Sequence, residues 1–206
     1  WDNDKFSSKD WTDQVYQTFE ESKEKGISLY IHLPFCESLC TYCGCNTRIT
    51  KNHQVEEPYI ASLLKEWEMY IRVFQGERPL ISEIHLGGGT PTFFHPDNLK
   101  MLIEGILKHV NVAPGSSFSF EAHPANTKIT HLQTLFDLGF RRLSLGIQDF
   151  DPHVQFLINR HQSVADVERV VSAARKIGYR SINFDLIYGL PLQTQEKIAA
   201  TIRQSL

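Results

Sequence analysis

The chain has 206 residues, of which 41% are hydrophobic and 22% are charged; this balance argues against a disordered tail and fits one globular domain with a sizeable core. The formal net charge of -3 gives no general basic surface, so we do not expect nucleic acid as a partner. No apolar run approaches the roughly 18 to 20 residues of a membrane span, and the polar opening does not resemble a signal peptide, so we expect a soluble, cytoplasmic protein without a membrane span.

The N-terminal third is predicted to form a helix, a strand and a second helix. Apolar residues share one face of a helix over 10–25, and Gly26 is placed to end it. A strand over 28–33 follows. Pro58 suits the first turn of the next helix, whose apolar residues recur at helical spacing as far as Phe74.

The rest of the chain alternates between strands and helices. Gly139 and Gly178 each end a helix before an apolar strand. Strands are predicted over 81–86, 118–121, 143–148 and 182–188, and helices over 97–110, 130–138, 164–177 and from Gln195 onward.

This alternation predicts the α/β class, with parallel strands joined by right-handed crossovers in an open sheet or a barrel. We count five strand-helix units, the last of which stops at Leu206 in mid-helix. We therefore expect a fragment of a longer protein, without an intact barrel. Residues 1–27 are interpreted as a helical lead-in, and 28–206 as the strand-helix domain.

All four cysteines lie within ten residues, after the first strand. Cys36, Cys40 and Cys43 have the spacing C-x3-C-x2-C, and Cys45 follows two residues later. Three thiolates so spaced can converge on one iron-sulfur cluster and leave one iron open, whereas saturated sites use four cysteines. The alternatives are a four-cysteine zinc knuckle and a chance cluster of buried thiols, although structural zinc sites usually draw their ligands from two separated segments.

The C-x3-C-x2-C motif after a strand resembles the signature of the radical S-adenosylmethionine (SAM) superfamily. The resemblance implies a partial parallel (β/α) barrel of about five to six units and a 4Fe-4S cluster held by Cys36, Cys40 and Cys43. It also implies that SAM binds the open iron and is cleaved to a 5'-deoxyadenosyl radical, which abstracts hydrogen from the substrate.

Two flanking segments, Tyr30-Ile-His32-Leu-Pro34-Phe35-Cys36 and Cys43-Gly44-Cys45-Asn46, resemble the oxygen-independent coproporphyrinogen III oxidases. That family implies oxidative decarboxylation of two propionates to vinyl groups, an electron donor such as flavodoxin or ferredoxin, a monomeric state, and a C-terminal domain after this one. Cys45 is interpreted as an auxiliary catalytic residue. A haem chaperone, which typically has Phe at that position, and another tetrapyrrole-modifying radical SAM enzyme stay open as alternatives.

The resemblance also implies further cofactor contacts. The residues matching contacts of the cluster-bound SAM are Tyr30, Gly88 and Glu121. The residues matching contacts of a possible second SAM are Tyr42, Gly89, Thr90, Gln148, Arg160 and Asp185. Read without the family, the glycines suit a tight turn, the polar strand residues suit structural hydrogen bonding, and Arg160 suits a surface cation.

Three further residues, His123, Arg48 and Lys51, lie near these positions in the sequence. His123 departs from the family, whose members often have an acidic residue there, and we interpret it as a neighbour of the functional Glu121. Arg48 and Lys51 are candidate partners for substrate carboxylates, or else solvated surface charges.

Overall fold

The structure is a computed structural model that describes residues 7–206, so the lead-in assigned to 1–27 can be followed only from Ser7. The helices are α1 (Ser8–Ser22), α2 (Glu56–Val73), α3 (Pro96–Leu107), α4 (Ile129–Asp137), α5 (Pro152–Leu157), α6 (Val164–Ile177) and α7 (Gln195–Ser205). The strands are β1 (Ile27–Leu33), β2 (Phe35–Cys36), β3 (Arg48–Ile49), β4 (Leu80–Gly88), β5 (Asn111–Ala122), β6 (Phe140–Gln148) and β7 (Ser181–Leu186).

Five of the strands form one parallel sheet in the order β1-β4-β5-β6-β7. Each strand pairs with the next along the chain apart from the short β2 and β3, so a helix-bearing crossover separates every pair. This confirms the predicted α/β class and its parallel pairing. It also places the carboxyl ends of all five strands along one edge of the sheet.

The two faces of this sheet differ in composition. One face, which we call the covered face, presents buried residues to the helices; they include Ile31, Leu33, Ile84, Leu86, Phe118, Phe120, Leu143 and Leu145. The other, which we call the open face, presents polar residues; they include Tyr30, His32, His85, Ser119, Glu121, Ser144 and Asp185. Successive residues of a strand point to opposite faces, which produces this division.

Local signals place the helix ends. Ser163 caps α6, since its hydroxyl accepts a hydrogen bond from the Asp166 N–H and the Asp166 carboxylate accepts one from the Ser163 N–H. Gly178 ends the same helix in the left-handed conformation, with φ of 115°. The predicted helix end at Gly178 is confirmed.

Some boundaries and elements differ from the sequence prediction. β5 begins at Asn111 rather than 118, because Pro114 and Gly115 hide the strand pattern in its mostly exposed first half. The predicted strand over 182–188 ends at Leu186. Helix α5 and the β2–β3 pair were not predicted, since six- and two-residue elements carry too little periodicity to be detected.

Within residues 7–206, no helix combines the length and apolar character that a membrane crossing requires.

Candidate functional site

A cavity of about 280 Å³ opens at the carboxyl ends of the strands. In parallel α/β folds, ligands bind at this edge. Thirteen residues are assigned from the sequence to the cluster, to SAM or to an auxiliary catalytic role. Twelve of them line the cavity: Cys36, Cys40, Tyr42, Cys43, Cys45, Gly88, Gly89, Thr90, Glu121, Gln148, Arg160 and Asp185. Residues up to 150 positions apart in the chain are thus brought to one place.

The cysteine-bearing loop is closed at its base by the short β2–β3 pair. The Arg48 N–H donates to the Pro34 carbonyl at 2.8 Å, and the Thr50 N–H donates to the Cys36 carbonyl at 2.9 Å. Inside the loop, the Cys43 N–H donates to the Cys40 carbonyl at 3.1 Å and tightens the turn between these two cysteines. The loop is therefore held in a closed shape by the backbone.

The far side of the loop is attached to the end of α5. The Thr41 N–H donates to the Ile158 carbonyl at 3.0 Å, and the Thr41 hydroxyl donates to the Leu157 carbonyl at 3.2 Å. The Asn159 amide donates to the Leu39 carbonyl at 2.7 Å. These contacts, across more than 110 residues of sequence, fix Cys40 relative to the strand ends.

Three of the four thiols are partly buried, and the charged side chains of Arg160 and Glu121 lie near the loop. Burial raises the pKa of the Cys36 thiol, which lies 3.3 Å from the Thr90 hydroxyl. Burial and the neighbouring Cys43 also raise the pKa of Cys45. A metal ligand must be a thiolate, and metal binding drives the loss of these protons.

The donor set fits an iron-sulfur cluster. Cysteine thiolates are the usual ligands of such clusters, one for each iron that the protein binds, and Cys36, Cys40 and Cys43 line one cavity. No group of three Cys, His, Asp or Glu side chains within residues 7–206 is arranged to hold a single metal ion. In a cubic cluster each thiolate binds a different iron, so the three thiols need not surround a single point.

The glycine turn after β4 allows the backbone to approach its neighbours closely. The Gly89 N–H donates to the Leu33 carbonyl at 2.9 Å, and a Cβ at Gly89 would lie 2.6 Å from the Pro34 carbonyl oxygen. Gly88 has φ of 116°, and a Cβ there would lie 2.8 Å from the His32 ring. Side chains at these two positions would clash or be strained.

Glu121 lies at the end of β5, beside the glycine turn. Its Oε2 accepts a hydrogen bond from the Gly88 N–H at 3.3 Å, and its Oε1 lies 3.3 Å from His85 Nε2. Of the residues assigned to the cluster, to SAM or to an auxiliary catalytic role, Tyr30 alone lies outside the cavity lining. It lies on the open face next to Glu121, with 59% of its surface exposed and its hydroxyl 3.3 Å from His32 Nδ1.

Arg160 is buried, with only 8% of its surface exposed, so the alternative of a surface cation is wrong. Its Nη1 contacts the Cys40 sulfur at 3.7 Å and the Tyr42 hydroxyl at 3.4 Å, and its Nη2 donates to the Gly146 carbonyl. Its Nε has no hydrogen-bond partner within the described residues. A buried guanidinium with only uncharged partners can stabilise an anion in the cavity.

His123 lines the same cavity and is neutral. Burial, and then the positive charge of Arg160, lower the pKa of this imidazole to about 3. Its Nδ1 accepts a hydrogen bond from the Ala125 N–H at 3.2 Å, so the proton resides on Nε2. His123 was interpreted from the sequence only as a neighbour of Glu121, and the structure places it among the cavity residues.

The opposite wall of the cavity is formed by β6 and β7. Ser144 donates to the Asp185 carboxylate, at 2.9 Å and 2.8 Å to its two oxygens. Gln148 ends β6 with φ of 67°, at an irregularity in the pairing with β7. Arg48 and Lys51 are exposed and do not line the cavity.

The comparisons with known proteins agree on one superfamily. The family described as the radical SAM superfamily matches residues 30–204. The chain is 41% identical to the oxygen-independent coproporphyrinogen III oxidase of Pseudomonas aeruginosa, over 92% of this chain and 42% of that protein. It is 43% identical to the protein of that name from Helicobacter pylori strain J99, over 85% of this chain and 38% of that protein.

The fold is shared with a solved structure of a coproporphyrinogen III oxidase from Escherichia coli, described as a radical SAM enzyme. The TM-score is 0.89 at 34% identity, over 97% of this chain and 45% of that chain. The likeness confirms the partial-barrel architecture. Since the family match spans most of the sequence, the chain belongs to the radical SAM superfamily.

Proposed function

We propose that the thiolates of Cys36, Cys40 and Cys43 hold a 4Fe-4S cluster and that SAM binds at the iron they leave open. The observation that carries the proposal is that these three cysteines share one cavity with a glycine turn and a carboxylate at the strand ends. Gly88 exposes backbone to that cavity, and Glu121, with Tyr30 beside it, can accept hydrogen bonds from the SAM amino group.

A second SAM is proposed for the other wall of the cavity. The contacting residues would be Tyr42, Gly89, Thr90, Gln148, Arg160 and Asp185, all of which line it. Arg160 supports this proposal because its buried charge has no carboxylate among its described hydrogen-bond partners. The carboxylate of a ligand would supply one.

The activity proposed is that of an oxygen-independent coproporphyrinogen III oxidase. Two propionates of coproporphyrinogen III would each lose a hydrogen atom and carbon dioxide and pass one electron to an external one-electron acceptor, becoming vinyl groups and giving protoporphyrinogen IX. The bound cluster and SAM supply the carbon radical that takes the hydrogen. The chain's own residues hold the cofactors at the strand ends, and Cys45 is proposed as an auxiliary residue near the reacting groups.

The support for this activity is sequence identity with proteins of that name. The chain spans 42% of the Pseudomonas aeruginosa protein and 43% of the Escherichia coli protein. We further propose a cytoplasmic monomer that receives electrons from a flavodoxin or ferredoxin.

Anaerobic reconstitution tests the cofactor proposal. We expect about four iron and four sulfide per chain. Alanine at Cys36, Cys40 or Cys43 should prevent cluster binding, whereas Cys45→Ala should keep the iron. Stoichiometric zinc without sulfide, or equal iron loss in all four variants, would contradict the assignment of three ligands.

Product analysis without oxygen tests the activity. The chain is compared with a chimera that adds the unmatched portion of the Pseudomonas aeruginosa relative. We expect the chimera to form protoporphyrinogen IX and Cys45→Ala to lose turnover. Transfer of haem without any conversion of coproporphyrinogen would favour the haem-chaperone alternative.

A further inference from the structure

His85 lies on β4 and does not line the cavity. It lies on the open face opposite Ser119 of β5, its partner in the strand register. Its Nδ1 is 2.8 Å from the Ser119 hydroxyl, and its Nε2 is 3.3 Å from Glu121 Oε1. The Tyr30 ring stacks on the imidazole, with 5.8 Å between centroids and 22° between planes. Both ring nitrogens of His85 therefore have partners.

The partners determine where the proton of a neutral His85 lies. An ionised carboxylate only accepts hydrogen bonds, so the contact with Glu121 requires the proton on Nε2. Nδ1 is then an acceptor, and the Ser119 hydroxyl can donate to it. Ser119 therefore donates a hydrogen bond to His85, and His85 donates one to Glu121 Oε1.

The second carboxylate oxygen is held from another direction. The Gly88 N–H donates to Glu121 Oε2 at 3.3 Å. One oxygen of Glu121 is thus held by the glycine turn and the other by His85. With both oxygens fixed, the carboxylate cannot rotate about its terminal bond without losing a hydrogen bond.

We infer that His85 is a positioning residue, which holds the Glu121 carboxylate in the orientation that binds the cationic end of SAM. The inference rests on the proposed function, since it assumes that Glu121 contacts SAM. Residues that orient the ligands of a metal site through a hydrogen bond typically contribute about 10- to 100-fold to its affinity, and His85 would act on the ligand-binding carboxylate of Glu121 in the same way.

Two substitutions separate positioning from a merely structural role. In His85→Gln, the longer amide side chain can place a donor near the position of Nε2 and keep the contact with Glu121. In His85→Asn, the shorter amide reaches the position of Nδ1 and leaves Glu121 Oε1 without its donor. The two variants therefore differ in whether Glu121 Oε1 keeps its hydrogen-bond donor. Both variants retain a polar side chain on the open face.

The measurement is the affinity for SAM of the cluster-loaded protein, by anaerobic equilibrium dialysis. We expect His85→Asn to weaken SAM binding about tenfold, the lower end of the range for such supporting residues, and His85→Gln to stay close to the unsubstituted protein. In a Glu121→Gln background, His85→Asn should have little further effect, since its action passes through the carboxylate.

Equal losses in the two variants, or a full tenfold loss that persists in the Glu121→Gln background, would overturn the inference. Urea unfolding of each variant shows whether a loss of fold is the cause. If the unsubstituted protein loads a cluster and binds no SAM, the proposed function fails. The proton position of His85 is then read by 15N NMR of the protein without cofactors, where a proton on Nδ1 would overturn the link to Glu121.

Discussion

The two faces of the five-stranded sheet are built from alternate residues of the same strands, yet they have different roles. On β5, Phe118, Phe120 and Ala122 are buried against the helices, while Ser119 and Glu121 between them lie on the open face. The covered face holds the fold together through apolar burial. The polar residues of the open face form hydrogen bonds with one another, and several of them line the cavity.

The comparison shows how stability and chemistry are separated in this fold. Because the side chains of a strand alternate with a period of two, adjacent residues can serve different purposes without sharing neighbours. Substitutions on the covered face should change the free energy of unfolding, and substitutions on the open face should change ligand binding. Each prediction below tests that separation.

The largest expected change in the free energy of unfolding is for Phe120→Ala on the covered face. Phe120 is fully buried and packs its ring edge-on against Phe140 and Tyr179. Truncating a buried Phe to Ala typically costs about 3 to 5 kcal/mol of unfolding free energy. The matched substitution is the adjacent Glu121→Gln, which should cost no more than about 0.5 kcal/mol. Urea denaturation measures both.

SAM binding should reverse the order of these two variants. Folded Phe120→Ala should bind SAM nearly normally, whereas Glu121→Gln should bind it weakly despite a normal unfolding midpoint. A Glu121→Gln protein as unstable as Phe120→Ala would show that the two faces are not independent.

The next effect is a loss of stability in acid, governed first by His131, a buried histidine away from the open face. His131, in α4, is 3% exposed; its Nδ1 accepts from the Lys128 N–H at 3.0 Å and its Nε2 lies 3.0 Å from the Phe94 carbonyl oxygen. Burial lowers its pKa from 6.5 to about 4. Between these two pH values the unfolded chain binds a proton that the folded chain does not, so stability falls as pH falls through this window.

His131 should contribute about 1.4 kcal/mol per pH unit to this loss. His123 adds a second contribution, since its pKa is lowered to about 3. His131→Asn is therefore expected to be less stable at pH 7 but to lose stability more slowly on acidification. His153→Asn, at a position whose side chain is 84% exposed, is the control and should keep the slope of the unsubstituted protein. Urea unfolding at several pH values tests both, and an unchanged slope in His131→Asn would contradict the assignment.

The sheet and most helices could be predicted because their apolar residues recur at regular intervals. The covered face supplies that signal in strands such as 81–86 and 143–148. The first half of β5 was not predicted because Pro114 and Gly115 interrupt the apolar pattern and the strand is mostly exposed there. Helix α5, which Asp151 caps, was not predicted because its six residues form too few turns for a helical spacing of apolar residues to be recognised.

The site was predictable where its residues are neighbours in sequence, as in the cysteine loop and the glycine turn. Burial of Arg160 could not be predicted, since it depends on α5 and on Asn159, whose φ of 50° turns the chain toward the cavity. The contact between His85 and Glu121 depends on the register of β4 against β5. Neither strand alone carries information about that register.

A smaller effect is expected where the cysteine loop is attached to α5. In Thr41→Val, the hydrogen bond from the hydroxyl to the Leu157 carbonyl is lost, which should cost about 1 kcal/mol. The loss should appear as faster release of iron to a chelator, with little change in the unfolding of the sheet. Thr18→Val is the control, because its hydroxyl donates to the Gln14 carbonyl within α1. Equal rates of iron release in the two variants would mean that α5 does not hold the loop.

The smallest effect is expected for Ser144→Ala on the open face. Its hydroxyl donates to the Asp185 carboxylate, and both groups are accessible from the cavity side of the sheet. Water can replace the lost donor, so the unfolding free energy should change by no more than about 0.5 kcal/mol. If Asp185 contacts a second SAM as proposed, its freed carboxylate should still weaken that binding a few-fold while leaving the first SAM unaffected. The matched control is Leu145→Ala, the next residue on β6, which is fully buried and should lose about 2 to 5 kcal/mol instead. A Ser144→Ala protein that binds both equivalents of SAM normally would place Asp185 outside the binding wall and limit the ligand-contacting part of the open face to β4 and β5.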